Sequence, residues 1–196
     1  MKLIPLFLLV GMFAVSGWAE GTKPEPYSPD LVKRAEAGDA KAQHNLGLCY
    51  VAGTGVSQDY KEAFKWYTKS AEQGLEGAQC NLGFCYFYGA GVAKDGKEAA
   101  KWFTKSAEQG NAWSQWGLGR CYAKGFGVAK DENEAVKWLT KSAEQGNPRA
   151  QMSLGVCYAK GIGVAKDENE AVKWYTKSAE RKEAEEQQEL EQLQPK

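Results

Sequence analysis

The chain has 196 residues, of which 25 are Lys or Arg and 25 are Asp or Glu, so its formal net charge at pH 7 is zero. This balance excludes a general binder of nucleic acid, which needs a large basic excess. The apolar fraction of 43% and the aromatic fraction of 12% exclude a disordered chain. With a single histidine, most histidine-dependent catalysis is excluded as well.

The first residues have the layout of a secretory signal peptide. Lys2 supplies a positive charge, and residues 3–15 form an uncharged, mostly apolar stretch. Small residues then stand at the third and first positions before a cut, Gly17 and Ala19. Because the stretch is shorter than the ~20 residues of a membrane span, we expect cleavage rather than an anchor. Residues 1–19 are therefore predicted to direct export to the periplasm or the extracellular space, leaving no integral membrane segment.

After the signal peptide, a short linker and a helical half-repeat are expected. Residues 20–29 are polar and contain three prolines, which is typical of an extended linker. At its end Ser28 and Pro29 have the pattern of a helix start, with serine as the N-cap and proline at the first helical position. Residues 31–38 match the second half of the second helix in each repeat described next, and we interpret them as an N-terminal cap.

Four copies of a 36-residue unit make up most of the remaining chain. The string Leu-Gly-x-Cys-Tyr recurs at a constant spacing of 36 residues, and Gly-x-Gly-Val follows it each time. The repeated leucines are Leu46, Leu82, Leu118 and Leu154. The predicted units span residues 39–74, 75–110, 111–146 and 147–182.

Each unit is predicted to form two helices joined by a glycine turn. In the second unit Leu82, Cys85 and their apolar neighbours recur at the three- and four-residue steps of one helical face, which we call helix A. The glycines at 89–91 end this helix, since glycine adopts the left-handed conformation without steric cost. Asp95 then caps helix B, and Glu98 stands three residues later as in a capping box.

A unit of two helices cannot bury both of its faces alone, so neighbouring units are expected to stack into an all-α solenoid. The glycine that follows each repeated leucine lets the helices approach closely. In the last unit Lys182 replaces the glycine that ends helix B elsewhere. We therefore expect the last helix to continue to about Leu193, within an acidic helical tail over residues 183–196.

The residues from Ala42 to Gly74, and their three further copies, resemble the Sel1-like repeat family, a relative of the tetratricopeptide repeats. The resemblance covers about residues 31–182. It implies a right-handed α-solenoid and a non-enzymatic adaptor that assembles other proteins, often at the bacterial cell envelope. One departure is that cysteine stands where the family usually has leucine before tyrosine, at Cys49, Cys85, Cys121 and Cys157.

These four cysteines lie on the stripe of helix A that faces helix B. Stacked helices are about 8–10 Å apart at their axes, whereas a disulfide needs Cα atoms within about 7 Å. We therefore predict buried, unpaired thiols. Some secreted relatives carry a bridge inside each repeat, but the matching positions here are Gln43 and Ala71, so that pairing does not carry over. The fifth cysteine, Cys80, is predicted to lie on the concave face and is a candidate reactive thiol.

The sequence predicts no catalytic residue, no cofactor and no metal site. Gly-x-Gly-Val lacks the preceding strand and third glycine of a dinucleotide loop and the Gly-Lys-Ser/Thr of a P-loop. No serine has lysine three residues later, as serine β-lactamases require, and the cysteine spacing is unlike that of zinc sites. His44 has Cys80, Trp116 and Met152 as its repeat counterparts, which indicates a surface residue rather than a general base.

The residues that differ among the four units are the candidates for partner binding. By the resemblance to tetratricopeptide-like units, helix A lines a concave groove, whose middle is aromatic and whose C-terminal half is basic. The candidate groove residues are Phe84, Phe87, Tyr88, Trp113, Trp116, Arg120, Lys124, Arg149 and Lys160. Aromatic residues and arginine commonly anchor binding hot spots, and we interpret Trp113 and Trp116 as an exposed apolar cluster. For Phe84 and Phe87 the alternative is that they fill gaps between adjacent A helices.

The predicted function is that of an exported, non-enzymatic adaptor that binds a protein or peptide in its concave groove. The basic half of the groove favours an acidic segment or a C-terminal carboxylate. One alternative is a cell-wall or β-lactam-type ligand binder with marginal hydrolase activity, which a nitrocefin assay would reveal. The other is an oligomer-forming structural module, which light scattering would reveal.

Overall fold

The computed structural model describes residues 25–193, with side chains described through residue 180, and there the chain is helical without strands. The predicted all-α repeat fold is confirmed, whereas the predicted signal peptide, residues 1–19, lies outside the described residues. The helices are α1 (Pro29–Glu36), α2 (Ala40–Ala52), α3 (Tyr60–Glu72), α4 (Glu76–Tyr88), α5 (Gly96–Glu108), α6 (Ala112–Lys124), α7 (Glu132–Glu144), α8 (Pro148–Lys160) and α9 (Glu168–Leu193).

The helices belong to two compact units, one ending at Ser114 and one beginning at Gln115, so that α6 contributes to both. Helices α2, α4, α6 and α8 are the A helices, and α3, α5, α7 and α9 are the B helices. Within each unit, helices that follow one another in the chain pack together. The four repeated leucines are all buried in the core.

A close approach between the two helices of a repeat explains the glycine after each repeated leucine. A Cβ atom added to Gly83 of α4 would lie 2.6 Å from Cδ1 of Phe103 in α5. The same clash recurs in the last repeat, where a Cβ on Gly155 would lie 2.6 Å from Cε1 of Tyr175. Non-bonded carbon atoms do not approach this closely. Glycine at this position therefore allows an aromatic ring of helix B to pack directly against the backbone of helix A.

The start of each helix B is capped by aspartate, as predicted, but the capping box is not formed. Oδ1 of Asp95 accepts hydrogen bonds from the backbone N–H groups of Lys97, at 2.8 Å, and Glu98, at 3.1 Å. The backbone N–H of Asp95 donates to the carbonyl of Tyr86 at 3.1 Å, rather than to Glu98. Glu98 instead pairs with Lys101. The turn between the two helices is therefore held to helix A by this backbone hydrogen bond, and the Glu98 side chain is free to form an ion pair at the surface.

Buried glutamines connect successive repeats in a way that the sequence did not reveal. Gln79 donates from Nε2 to the carbonyl of Ala71 in the preceding helix B, at 3.2 Å. Its Oε1 accepts from Nε2 of Gln109 at the end of its own repeat, at 2.7 Å. These two bonds satisfy a buried amide and a helix-terminal carbonyl together, which accounts for glutamine at the same place in every repeat.

The two ends of the repeat array differ. Helix α1 starts with the predicted cap, in which Oγ of Ser28 accepts from the N–H of Leu31 at 3.1 Å. Residues 25–28 are irregular but packed, since the Cys49 thiol donates to the Glu25 carbonyl over 3.6 Å, so this part of the predicted linker belongs to the folded core. At the other end α9 has 26 residues, against 13 in the other B helices, and ends at Leu193. Within the described chain, every helix is too short or too polar to traverse a lipid bilayer.

Candidate partner-binding site

The aromatic residues predicted on α4 prove to be part of the core. The ring of Phe84 packs edge-on against Phe103 of the same repeat, with centroids 4.8 Å apart, and stacks on Tyr88 at 6.1 Å. Phe87 contacts Tyr88 at 5.0 Å. Phe84 and Phe87 are buried, while Tyr88 is half-buried. The two phenylalanines thus fill space, as the alternative interpretation held, and both contact the ring of Phe103 in helix B of the same repeat.

The expectation that Trp113 and Trp116 form an exposed apolar cluster is wrong. Their exposed fractions are 7% and 5%. Trp116 is buried because its indole reaches the following helix A, where Nε1 donates to Oγ of Ser153 at 3.3 Å. Ser153 in turn donates to the carbonyl of Arg149 at 2.7 Å. Neither tryptophan can therefore act as an exposed anchor, but Trp116 holds a fixed position between two helices.

Two predicted arginines converge on the buried ring of Trp116. The guanidinium carbon of Arg120, one turn further along α6, lies 4.6 Å from the ring centroid. The guanidinium carbon of Arg149, at the start of α8, lies 5.6 Å from the same centroid. Both distances are within the range of cation–π contacts. We call Trp116, Arg120 and Arg149 the basic–aromatic cluster; it lies entirely within the second unit.

The cluster concentrates positive charge on groups that are held in place. Arg120 and Arg149 are half-buried, and a shared aromatic face limits the rotamers that each guanidinium can adopt. Lys124 and Lys160 are exposed at the C-terminal ends of the same two helices, α6 and α8. Two arginines and two lysines from neighbouring A helices can thus bind carboxylates, with the arginines offering planar, bidentate donors.

Cys80 and His44 occupy the same position in their repeats. The expectations of a reactive thiol at Cys80 and of a surface histidine at His44 are both wrong. Cys80 is completely buried, its thiol bonds with the side chain of Ser114, and burial raises its pKa to about 12. It is therefore neither on a concave surface nor reactive. His44 is half-buried rather than a free surface residue, and Nε2 lies 2.9 Å from Nδ2 of Asn81. Burial lowers the pKa of His44 to about 4, even though Glu76 opposes the shift.

The prediction for the four repeated cysteines is confirmed. Each is buried, and all five cysteines of the chain are unpaired. Burial raises the pKa of the Cys85 thiol, and it raises that of Cys121 to about 12. Among the described residues no group of His, Cys, Asp and Glu is arranged to hold a metal ion. These thiols act as small apolar side chains between helices A and B.

A shared position in the repeat explains the burial of His44 and Trp116. The helix A position held by His44 and Trp116 contacts the following helix A, in each case at the residue 37 places later. This position is therefore a spacer between repeats and not a surface facing a ligand. In the sequence this position holds a histidine, a cysteine, a tryptophan and a methionine, and such variation does not distinguish a spacer from a surface residue.

The fold and the repeat are those of known proteins. The family model of the Sel1 repeat matches residues 40–75, 77–111, 114–147 and 148–182. The chain is similar to a solved Sel1 repeat protein from Oxalobacter formigenes, with 36% identity and a TM-score of 0.72, over 88% of this chain and 73% of that one. It is similar to c5321, a protective antigen of uropathogenic Escherichia coli with an SLR fold, with 35% identity and a TM-score of 0.72.

That second match covers 88% of this chain but only 38% of the antigen, so the chain spans less than two fifths of its length. A sel1 repeat protein from Klebsiella pneumoniae subsp. pneumoniae is also similar, with 26% identity and a TM-score of 0.61 over 80% of this chain and 74% of that one. No curated protein matches the chain.

Proposed function

The chain belongs to the Sel1 repeat family, and from this premise we propose that it is an exported adaptor that binds an acidic protein segment at the basic–aromatic cluster. Proteins built from Sel1 repeats generally mediate contacts between proteins, and the family generally consists of non-enzymatic scaffolds. What the family does not specify is the surface that is used and the chemistry of the partner.

The observation that carries the proposal is that two guanidinium groups share one buried ring. Arg120 and Arg149 come from different A helices, yet both lie over Trp116, at 4.6 and 5.6 Å. Free arginine side chains lose rotamer entropy when they bind, and a prior contact with a ring removes part of that loss. A pair of guanidinium groups arranged in this way suits two neighbouring carboxylates, or one carboxylate bound by both.

In this arrangement Trp116 supports the site and the arginines make the contact. Because Trp116 is 5% exposed, a partner gains little apolar contact area from it. The binding free energy is expected to come from charge-assisted hydrogen bonds, so affinity and association rate should fall as the salt concentration rises. An acidic side-chain pair or a C-terminal carboxylate on a protein partner satisfies these requirements, whereas an uncharged polar segment does not.

The proposal is tested by fluorescence anisotropy with a labelled glutamate-rich peptide and the matched peptide in which every Glu is Gln. The wild-type chain should prefer the glutamate peptide, and Arg120→Gln and Arg149→Gln should each weaken that binding about tenfold or more, the equivalent of ~1.4 kcal/mol. Lys137→Gln is the control, since Lys137 is an exposed residue of α7 that pairs with Glu134. Equal binding of the two peptides, or unchanged binding by both arginine variants, would overturn the proposal.

Export is a separate part of the proposal and rests on the pattern of residues 1–19. It is supported by the cysteines, since thiols that are all buried are protected from disulfide exchange in an oxidising compartment. If the chain is exported, the mass of the protein recovered from the periplasm or the medium should correspond to a chain that begins at Glu20. A chain found inside the cell with its N-terminus intact would contradict export and leave the binding proposal standing.

A further inference from the structure

Helix α9 continues well past the length of the other B helices and carries an acidic segment, residues 183–193. The segment contains five glutamates and neither lysine nor arginine. Together with Arg181 and Lys182, which precede it, residues 181–193 hold five negative and two positive charges, a net charge of −3. Near the start of each helix B, by contrast, a glutamate pairs with the lysine three residues later. The acidic segment therefore carries an excess of negative charge that its own helix does not neutralise.

The contacts of α9 fix the direction in which this segment extends. Helix α9 is antiparallel to α8, because the N–H of Asp167 donates to the carbonyl of Tyr158, at 3.0 Å, and Oγ of Ser178 donates to the carbonyl of Pro148, at 2.9 Å. Pro148 is the first residue of α8, and α9 is one continuous helix to Leu193. At about 1.5 Å per residue, the acidic segment lies about 8–22 Å past the contact with Pro148. It thus projects beyond the N-terminal end of α8.

The basic–aromatic cluster lies on the other side of that contact, along α8 rather than beyond its start. The indole of Trp116 bonds to Ser153 in the second turn of α8, and Arg120 and Arg149 lie over the same ring. A continuous helix that leads away from the start of α8 does not return to this cluster within one chain. Two carboxylates of the segment therefore reach the guanidinium pair only on another molecule.

The charge and the spacing of the segment fit the cluster. Glu185 and Glu189 are four residues apart, and Glu186 and Glu189 are three apart, so each pair lies on one face of α9. The cluster offers two guanidinium groups over one ring, which suits two such carboxylates. Lys124 and Lys160, exposed at the ends of α6 and α8, add positive charge on the same two helices.

We propose that the acidic segment of α9 binds the basic–aromatic cluster of a second copy of this chain. This contact rests on the proposed function, because it uses the same arginines. Each copy carries one segment and one cluster, so two copies can exchange segments in a closed two-fold pair. Self-association then occupies the cluster, and an acidic protein partner must displace the segment in order to bind. The segment thereby regulates the site by mass action, through the concentration of the chain itself.

The proposal is tested by sedimentation velocity of the full chain at about 0.05 M salt, where charges are weakly screened. The wild type should pass from monomer to a larger species as its concentration rises from low to high micromolar, and about 0.5 M salt should return it to monomer. A segment variant should have a dissociation constant raised about tenfold or more. It carries Glu183→Gln, Glu185→Gln, Glu186→Gln, Glu189→Gln and Glu191→Gln.

The matched control changes five other glutamates to glutamine and so removes the same charge. These residues are exposed and recur at a spacing of 36: Glu36, Glu72, Glu108, Glu144 and Glu180. The control variant should associate like the wild type. Since glutamine and glutamate have nearly equal helix propensity, both variants should fold, and an unchanged circular dichroism spectrum would establish this. A segment variant that associates as strongly as the control would overturn the proposal.

A mixing experiment shows whether the segment meets the cluster. The site variant, Arg120→Gln/Arg149→Gln, keeps the segment and lacks the guanidinium pair, whereas the segment variant keeps the pair and lacks the carboxylates. Each variant alone should stay monomeric. An equimolar mixture should associate, because the intact segment of one meets the intact cluster of the other. A mixture that stays monomeric, or a site variant that associates alone like the wild type, would place the contact elsewhere and contradict the proposal.

Failure of this contact and failure of the proposed function are distinguishable. A wild-type chain that stays monomeric at every concentration, yet binds the glutamate-rich peptide through its arginines, would overturn the self-association alone. A chain that neither associates nor binds the peptide would overturn both. Conversely, release of monomer from the associated wild type by the glutamate-rich peptide, and not by the glutamine peptide, would support both, since the peptide and the segment would then compete for one cluster.

Discussion

For single residues, the neighbouring repeat sets the chemistry of a side chain more than its own type does. At one helix A position the three covered residues are a histidine with a lowered pKa, a cysteine with a raised pKa and a tryptophan that holds two arginines. In each case the cause is burial between two A helices. Burial disfavours the imidazolium of His44 and the thiolate of Cys80 alike, and it fixes the ring plane of Trp116.

His44 makes the stability of the first unit depend on pH. The pKa of His44 is about 4 in the folded chain, against 6.5 for a free histidine side chain, so between these values the unfolded chain binds the proton more readily. Stability is therefore complete above about pH 6.5 and falls as the pH decreases toward 4. At pH 5 the loss should be about 1–2 kcal/mol relative to pH 7, measured by chemical denaturation.

The control is His44→Met, which places the residue of the fourth repeat at this position. It removes the only histidine of the chain, so the part of the pH dependence that lies between pH 7 and pH 5 should become smaller. Glu76 is the nearby acidic group, and it remains in both proteins. If the wild type and His44→Met lose equal stability between these two pH values, the buried neutral histidine is not the cause.

Among the helices, the packing within a repeat depends on a contact between backbone and ring. Gly83 allows the ring of Phe103 to lie against the backbone of α4, and Phe103 itself is completely buried. The repeat keeps this glycine but varies the facing side chain, which is Leu139 opposite Gly119. The spacing of glycine and leucine in the sequence predicted this contact, since only glycine leaves room for it.

Gly83→Ala should destabilise the chain by about 1–2 kcal/mol in denaturant unfolding. Overpacking of a filled core costs ~1–3 kcal/mol, and this exceeds the gain of ~1 kcal/mol that alanine brings to a helix. The double variant Gly83→Ala/Phe103→Leu should be less destabilised than the sum of the two single variants, because leucine frees part of the space. Additive losses would mean that the methyl group and the ring do not meet.

For the whole molecule, the period of 36 residues predicted much of the fold. It located the helix pairs, their glycine and aspartate boundaries, the buried leucines and the unpaired cysteines. The long last helix was predicted as well, because Lys182 replaces the glycine that ends helix B in the other repeats. These features depend on local sequence and on the burial of one face, both of which are visible in a repeating pattern.

The site was less predictable, because a surface position and a spacer between repeats look alike in a single helix. The residues at the positions of Phe84 and Trp116 vary among the repeats, and such variation is typical of exposed residues. Their burial depends on contacts with residues in other helices, Phe103 and Ser153. Arg120 and Arg149 are half-buried, and their meeting on one ring depends on three-dimensional positions that the sequence pattern does not contain.

The central claim, that carboxylates bind at the basic–aromatic cluster, is tested most directly at the indole N–H of Trp116. In a ¹H–¹⁵N spectrum its signal is identified as the one that disappears in Trp116→Phe. On titration with the glutamate-rich peptide, this signal should shift more than that of Trp174, which lies in α9 beneath Lys177, and the glutamine peptide should leave both unchanged. A larger shift at Trp174, or no shift at Trp116 when the peptide is bound, would contradict the account.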